Sequence, residues 1–226
     1  MPSDLRKFNV MSSAKYVPAL GYDFLTPFYD KVVGLTTREA AFKSALVDQA
    51  EISPGDRVLD LACGTGTLTI MIKAAVPSAD VTGIDGDNRI LEIAHSKAAA
   101  KQMNIRFEQG MSYNLPYENN SFDRVLSSLF FHHLTRKDKI SSLREAWRVL
   151  KQGGELHVAD WGTPRNFIMS AASYSIRMLD GFKTTGDNFN GSLPGLISDS
   201  GFSRVEETRT FDTVFGTIRL YKSLQL

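Results

Sequence analysis

Residues 58–70, with the sequence VLDLACGTGTLTI, narrow most strongly what this chain can fold into. A short apolar run ends in an acid, passes through Gly64 and Gly66, and continues with apolar residues at helical spacing. This order predicts a strand at 57–61, a tight glycine turn and a helix at 66–75. In an open sheet whose strands alternate with helices, such a turn lies at the edge where ligands bind.

The same alternation continues along the chain. Thr135 and Asp138 fit a capping box, and Gly153 with Gly154 is the expected stop of the helix that follows them. Strands that alternate with helices predict βαβ units, and therefore a doubly wound, largely parallel α/β sheet covered on both faces. The predicted strands after the first are 80–84, 105–109, 123–129 and 155–159, and the predicted helices are 88–101 and 138–151.

The length suits one domain of 226 residues built from four parts. Residues 1–52 are expected to form a helical, aromatic lid, and residues 53–160 the ligand-binding core. Residues 161–192 are expected to be an insertion that reaches the same edge, with 161–190 irregular because they are rich in Met, Ser, Gly and aromatic residues. The sequence pattern of residues 193–226 predicts a short helix and two strands that pair as a hairpin.

Composition excludes several classes of function. The formal net charge is +1 without a block of like charges, so no nucleic-acid partner is expected. One cysteine, Cys63, excludes an intramolecular disulfide and a cysteine-rich zinc site. The first residues lack the apolar core of a signal peptide and no apolar run reaches about 18 residues, so we expect a cytoplasmic protein without integral membrane association. The sequence leaves the oligomeric state open.

The glycine turn fits neither of two common phosphate-binding motifs. A Walker loop needs a lysine that is absent from residues 61–69, and a dinucleotide fingerprint needs a third glycine where Thr69 stands. Two glycines alone are equally compatible with a plain tight turn. Asp85, which ends the next predicted strand in VTGID, favours a bound nucleoside because its carboxylate can accept hydrogen bonds from both ribose hydroxyls.

Four segments, in order and spacing, resemble a known family. VLDLACGTG, VTGIDGD, LPYENNSFDRVLSSLFFHHL and LREAWRVLKQGGELHVAD are similar to class I S-adenosylmethionine-dependent methyltransferases, in particular the ubiquinone and menaquinone biosynthesis branch. The resemblance covers roughly residues 53–160. It implies a seven-stranded, mostly parallel Rossmann-like sheet whose last strand, near 213–222, is antiparallel and pairs with 203–210. It also implies S-adenosylmethionine as cofactor and S-adenosylhomocysteine as product.

The resemblance also implies residue roles. Gly64 and Gly66 would let the backbone pass close to the cofactor, Asp60 would orient the loop or reach the methionine amine through water, and Asp85 would bind the ribose. The other residues that it places around the cofactor are Ala62, Gly86, Met111, Ser112, Ser128, Leu129 and Tyr29.

Two of these positions depart from the common family pattern. Ala62 replaces a glycine, and Met111 replaces an aspartate or asparagine, which removes an acceptor for the adenine amino group. Adenine would then be held by packing and by the backbone of Ser112.

Methyl transfer is an in-line displacement that needs a base only where the acceptor must lose a proton. His132 and His133, in FFHHL, are the candidate bases, and the alternative is that they pack or cap the following helix. His95 and His157 are expected to be structural, and no metal site is expected because no third ligand accompanies the adjacent histidines. The N-P-P-[YF] motif of N-methyltransferases is absent, so the expected acceptor is a small quinone-like or lipid-like molecule.

Two other functions stay open. The chain could be a non-catalytic protein that binds S-adenosylmethionine or a nucleoside, or an NAD-dependent oxidoreductase. The aromatic residues of the N-terminal part predict a lid that is mobile without ligand and closes over the cofactor; they are Tyr16, Tyr22, Phe24, Phe28 and Tyr29.

Overall fold

A computed structural model describes residues 38–226, and within them seven strands form one sheet. The first five strands run parallel, and the seventh is antiparallel to the fifth and the sixth. This confirms the predicted seven-stranded, mostly parallel fold with an antiparallel last strand. The strands are β1 (Arg57–Leu61), β2 (Asp80–Asp85), β3 (Arg106–Gln109), β4 (Phe122–Ser128), β5 (Leu150–Trp161), β6 (Ser203–Thr213) and β7 (Gly216–Leu224), in the spatial order β3-β2-β1-β4-β5-β7-β6.

Helices cover both faces of this sheet. Strand β1 contributes to both sides, because Leu59 and Leu61 pack with α4 and α7 while Val58 packs with α1 and α2. Thr135 caps α4, and its hydroxyl accepts the Asp138 N–H as predicted. The helices are α1 (Glu39–Gln49), α2 (Thr67–Ala75), α3 (Asn88–Ala100), α4 (Arg136–Val149), α5 (Phe167–Asp180), α6 (Phe182–Phe189) and α7 (Leu193–Asp199), with a short 3₁₀ helix at Phe131–His133.

The strand order positions the functional site. Strand β1 lies between β2 and β4, so the direction in which the chain winds reverses there. Ligands bind such a sheet outside the carboxyl ends of the strands at the reversal. We call the side of the sheet where β1, β2, β4 and β5 end the carboxyl edge; it is bounded by Leu61, Asp85, Ser128 and Trp161.

Two local predictions are wrong. Helix α4 ends at Val149 and β5 begins at Leu150, so Gly153 and Gly154 lie inside a strand instead of stopping a helix. The pairing of β4 with β5 shifts register between Phe122 and Arg124, a bulge that accommodates the extra residues.

Residues 161–190 are not irregular, because α5 and α6 occupy most of them. Met, Ala and Leu are good helix formers, and they outweigh the serines in α5.

The N-terminal segment 1–37, including Tyr29 and the other aromatic residues of the predicted lid, lies outside the described residues. Between residues 38 and 226, no helix is both long and apolar enough to cross a membrane.

Glycine packing in β2 gives a stability prediction. A Cβ atom on Gly83 would lie 2.8 Å from Phe107 Cδ1 and 2.9 Å from Cys63 Sγ, whereas a Cβ on Gly195 in α7 would meet no described atom within 4 Å. Gly83→Ala should therefore cost about 1–3 kcal/mol of unfolding free energy, and Gly195→Ala should add about 0.5–1 kcal/mol. Urea unfolding of both variants measures this, and equal stability of Gly83→Ala and the parent protein would contradict the tight contact.

Candidate functional site

The turn after β1 has a left-handed backbone at three positions. Ala62, Gly64 and Gly66 have φ angles of 58°, 54° and 75°. The N–H of Cys63 donates to Ile84 O in β2, which holds the turn against the neighbouring strand. An alanine in this conformation carries roughly 1–2 kcal/mol of strain that a glycine avoids, which gives a physical reason for the glycine that the family more often has in place of Ala62.

The two glycines of the turn have different surroundings. A Cβ on Gly66 would lie 2.9 Å from Ala94 Cβ and 3.0 Å from the Phe107 ring, so Gly66 lets α2 and α3 pack closely. A Cβ on Gly64 would meet no atom of residues 38–226 within 4 Å. The backbone at Gly64 thus borders open space that a ligand could enter.

Asp85 links this turn to β2. Its Oδ2 accepts the Gly64 N–H at 2.9 Å, and its Oδ1 accepts the Asp87 N–H at 3.0 Å. Burial raises the pKa of Asp85, although the backbone amides of Asp87, Gly64 and Gly86 favour its charged form. Because a carboxylate offers about four acceptor positions, the two hydrogen bonds from Gly64 and Asp87 leave acceptor positions for hydroxyl groups of a ligand.

Asp60 lies fully buried in β1, behind the turn. Its Oδ2 accepts the Thr69 hydroxyl at 2.6 Å, which ties the end of β1 to the first turns of α2. Burial raises its pKa to about 6, and the nearby charge of Lys43 on α1 opposes this shift. Of the two roles that the family resemblance implies, the bond to Thr69 corresponds to orienting the loop.

Residues after β3 and β4 complete the predicted cofactor set. Met111 follows β3 and forms an isolated bridge with Asn114. The Ser112 hydroxyl is hydrogen-bonded to Ser142 on α4 at 2.7 Å, so its side chain is engaged within the protein. Leu61, Asp85, Met111 and Ser128 all end or follow parallel strands at one edge, and the fold therefore brings the described members of the set to the same side of the sheet.

A strained turn follows β4. Ser128 is its last residue, and Leu129 has a φ of 53° while its N–H donates to Ala159 O in β5. Non-glycine residues in this conformation are uncommon and cluster at functional sites. The turn leads directly into the 3₁₀ helix that carries His132 and His133.

His132 is bound to a residue that the sequence interpretation missed. Its Nδ1 lies 2.6 Å from Oδ1 of Asp160, which is fully buried near the end of β5, and its backbone N–H donates to Oδ2. The Trp161 N–H also donates to Oδ1. The sequence does hold a signal that could have indicated Asp160. In HVADW, an acid stands between apolar residues at the end of a predicted buried strand.

His133 lies beside this pair, with its ring tilted by 40° to that of His132. Its ring centroid is 3.9 Å from that of His132. Burial, with the neighbouring His132 as a second cause, holds the pKa of His133 well below its usual value. His133 is therefore neutral near pH 7.

A buried lysine also lies near Asp160. Lys139 on α4 is fully buried, its Nζ donates to Thr184 O in α6, and it lies 3.5 Å from the Asp187 carboxylate. Burial lowers the pKa of Lys139, while the charges of Asp187 and Asp160 raise it. Sequence reasoning missed this lysine, because nothing in the helical pattern distinguishes it from an exposed one.

The other two histidines lie away from the carboxyl edge. His95 packs edge-on against Phe107, and His157 is buried beside Gln49 and Glu155. Within residues 38–226, no group of three or more His, Cys, Asp or Glu side chains is arranged to hold a metal ion.

Comparison with known proteins gives matches to methyltransferases. Residues 58–154 match the family described as "Methyltransferase domain". The chain is 35% identical to a demethylmenaquinone methyltransferase of Deinococcus radiodurans over 150 residues, 65% of this chain and 61% of that protein. It is 28% identical over 202 residues to the ubiquinone/menaquinone biosynthesis C-methyltransferase UbiE of Shewanella sediminis, covering 80% of each chain. The match thus spans less than two thirds of the Deinococcus relative.

A solved structure gives the same fold. The crystal structure of a SAM-dependent methyltransferase from Methanosarcina mazei superposes with a TM-score of 0.63 at 21% identity, over 80% of this chain and 97% of that one. These matches confirm the family resemblance and the fold drawn from the sequence.

The buried carboxyl of Asp60 gives a prediction about pH. Its folded pKa of about 6 exceeds the ordinary value of 3.8, so the folded protein binds this proton more tightly than the unfolded chain. Raising the pH through this interval should therefore remove about 3 kcal/mol of stability, and Asp60→Asn should remove most of that dependence. Guanidinium unfolding at about pH 4 and pH 7 measures it, with exposed Asp48→Asn as control. The same pH dependence in Asp60→Asn and the parent protein would contradict it.

Proposed function

We propose that the chain transfers a methyl group from S-adenosylmethionine to a small quinone-like or lipid-like acceptor, because residues 58–154 match the family described as "Methyltransferase domain". One observation carries the proposal. The Gly64 backbone borders space that the described residues leave open, and its N–H is bonded to the Asp85 carboxylate, so a ligand could meet a bare backbone and a ribose-binding acid together.

The residues of the turn fit such a cofactor. Asp85 would accept the ribose hydroxyls, and its bonds to backbone amides already fix its orientation. Gly64 gives the space that a side chain would fill, and Asp60 holds the turn in place through Thr69. Gly86, Met111, Ser112, Ser128 and Leu129 are proposed to surround the rest of the cofactor from the neighbouring strand ends, and Ala62 and Gly66 to shape the turn.

The protein's part in the chemistry is mainly alignment. When bound, S-adenosylmethionine supplies an electrophilic methyl group on a sulfonium. Holding the acceptor in line within a dry site can contribute on the order of 7–11 kcal/mol. We propose His132 as the base for an acceptor that must lose a proton, since its Nδ1 is fixed by Asp160 at the same edge. His133 is the second candidate, and burial holds its pKa well below the usual value.

Two features support a quinone-like or lipid-like acceptor. The relatives at 35% and 28% identity are named for demethylmenaquinone and for ubiquinone and menaquinone biosynthesis. Helix α5 follows the carboxyl end of β5 and exposes large apolar side chains beside the edge. These side chains are Phe167, Ile168, Tyr174 and Met178.

A direct assay tests this function. The purified chain, incubated with S-adenosylmethionine carrying a labelled methyl group, should label a reduced short-chain demethylmenaquinone. Calorimetry should show binding of S-adenosylhomocysteine and none of NAD. Binding of S-adenosylhomocysteine without transfer to that acceptor or to others in a metabolite extract would favour a non-catalytic binding protein, and binding of NAD alone would favour an oxidoreductase.

Asp85 gives the first binding prediction. Asp85→Ala should weaken S-adenosylhomocysteine binding by several kcal/mol at most, because each hydrogen bond to a carboxylate contributes about 1.5–3 kcal/mol. Asp85→Asn should cost less, since the amide keeps one acceptor. Titration calorimetry measures both, with Asp80→Asn at the opposite end of β2 as control. Unchanged affinity in Asp85→Ala would mean that the ribose is not held there.

Gly64 gives the second binding prediction. Gly64→Val should abolish S-adenosylhomocysteine binding and leave the fold intact, because the side chain would fill space that the ligand needs. Gly153→Val is a matched control, since Gly153 also has a positive φ and open space but lies near the start of β5, away from the carboxyl edge. Both variants should lose similar stability by thermal unfolding. Loss of binding in both, or unfolding of Gly64→Val alone, would indicate a purely structural turn.

A further inference from the structure

A buried carboxylate and a histidine meet at the carboxyl ends of β4 and β5. Asp160 is fully buried, His132 is 3% exposed, and their Oδ1 and Nδ1 atoms lie 2.6 Å apart. We propose that Asp160 is a positioning residue that makes His132 the base for an acceptor with a weakly acidic hydroxyl group, such as the phenol of a hydroquinone. This inference rests on the proposed function and narrows its acceptor class.

The contact between the two side chains determines which nitrogen of His132 can act as the base. An ionised carboxylate has no proton to donate, so Nδ1 of His132 donates to Asp160. In the neutral ring the lone pair then belongs to Nε2. The bonds from the His132 and Trp161 backbone amides hold the carboxylate in place, and the ring is therefore fixed in both orientation and tautomer.

Among residues 38–226, charged side chains of α4 and α6 lie near the pair. Asp160 and Asp187 are the carboxylates, and Lys139 and Arg136 are the cations; Arg136 pairs with Asp187 at 2.7 Å. A proton taken by His132 is balanced locally by Asp160 on one side and by the acceptor anion on the other.

The proton step is balanced within the acceptor and the histidine. The acceptor O–H bond breaks, its electron pair stays on the oxygen, and the proton moves to Nε2 of His132. The imidazolium is stabilised by Asp160, which keeps its own charge throughout. The acceptor thereby becomes an electron-rich phenolate, which is the nucleophilic form that a methyl displacement needs.

An alternative role for Asp160 is structural. Its bonds to the His132 and Trp161 amides could serve only to fix the turn that precedes α4. An asparagine at this position keeps the size and can still accept a backbone bond, but its NH₂ group can donate to Nδ1 and favour the opposite tautomer. The conservative substitution therefore separates the two roles.

The test compares Asp160→Asn with the parent protein on two acceptors. With a hydroquinone whose hydroxyl is weakly acidic, kcat should fall by about 10²–10⁴-fold, while KM for the acceptor and affinity for S-adenosylhomocysteine change little. With an electron-poor phenol that is already ionised at the assay pH, the loss should shrink to a few-fold. His132→Gln should show the same dependence on the acceptor, whereas Glu155→Gln, which alters a carboxylate at the other end of β5, should leave both rates near the parent values.

A measurement without turnover completes the test. Nitrogen-15 NMR of the His132 ring should show the Nδ1–H tautomer in the parent protein and its loss in Asp160→Asn. Equal rate losses on both acceptors, or an unchanged tautomer, would mean that Asp160 is only structural and would overturn the inference. If the parent protein binds S-adenosylhomocysteine but methylates neither acceptor, the proposed function fails. The NMR result still decides whether Asp160 fixes the tautomer of the His132 ring.

Discussion

The hydrogen bond from the Gly64 N–H to the Asp85 carboxylate is the contact on which the carboxyl edge depends. It joins the turn after β1 to the end of β2, at the point where the winding of the sheet reverses. The turn forms this bond with a left-handed backbone at Gly64, which glycine adopts without a steric penalty. The same bond brings the bare backbone of Gly64 beside an acid, which makes the turn a candidate binding site as well as a connection.

Burial of acids is the main energetic cost of this edge. Asp60, Asp85 and Asp160 end or nearly end three parallel strands, and burial raises the pKa of the first two. Each is compensated by a different donor set: a threonine hydroxyl, backbone amides, and a histidine with backbone amides. The charge of Asp85 also raises the pKa of Asp60. A concentration of partly desolvated negative charge favours a ligand that carries a positive charge, which agrees with the proposed sulfonium.

The sequence predicted what depends on local patterns. β1, its glycine turn and Asp85 lie where apolar runs and glycines indicated them, because neighbours in sequence are also neighbours in that structure. The start of β5 was misplaced because Gly153 and Gly154 usually end helices, and only the bulge against β4 shows that they continue a strand. Lys139 and Asp160 were missed because their roles come from contacts with residues far away in the sequence, Thr184 and His132.

Strand β5 carries two pairs of histidine and carboxylate, and their surroundings differ. Near its start, His157 lies beside Glu155, whose pKa is lowered to about 2 by His157 and by the cations Lys222 and Arg124. The Glu155 carboxylate already has Lys222 and Arg124 as cationic partners, and it lies away from the carboxyl edge. A proton added to His157 would therefore be repelled by these two cations. Near its end, Asp160 holds His132 at the carboxyl ends of the parallel strands. The pair of His157 and Glu155 therefore stabilises the sheet near the start of β5, whereas the pair of His132 and Asp160 is placed for proton transfer near its end.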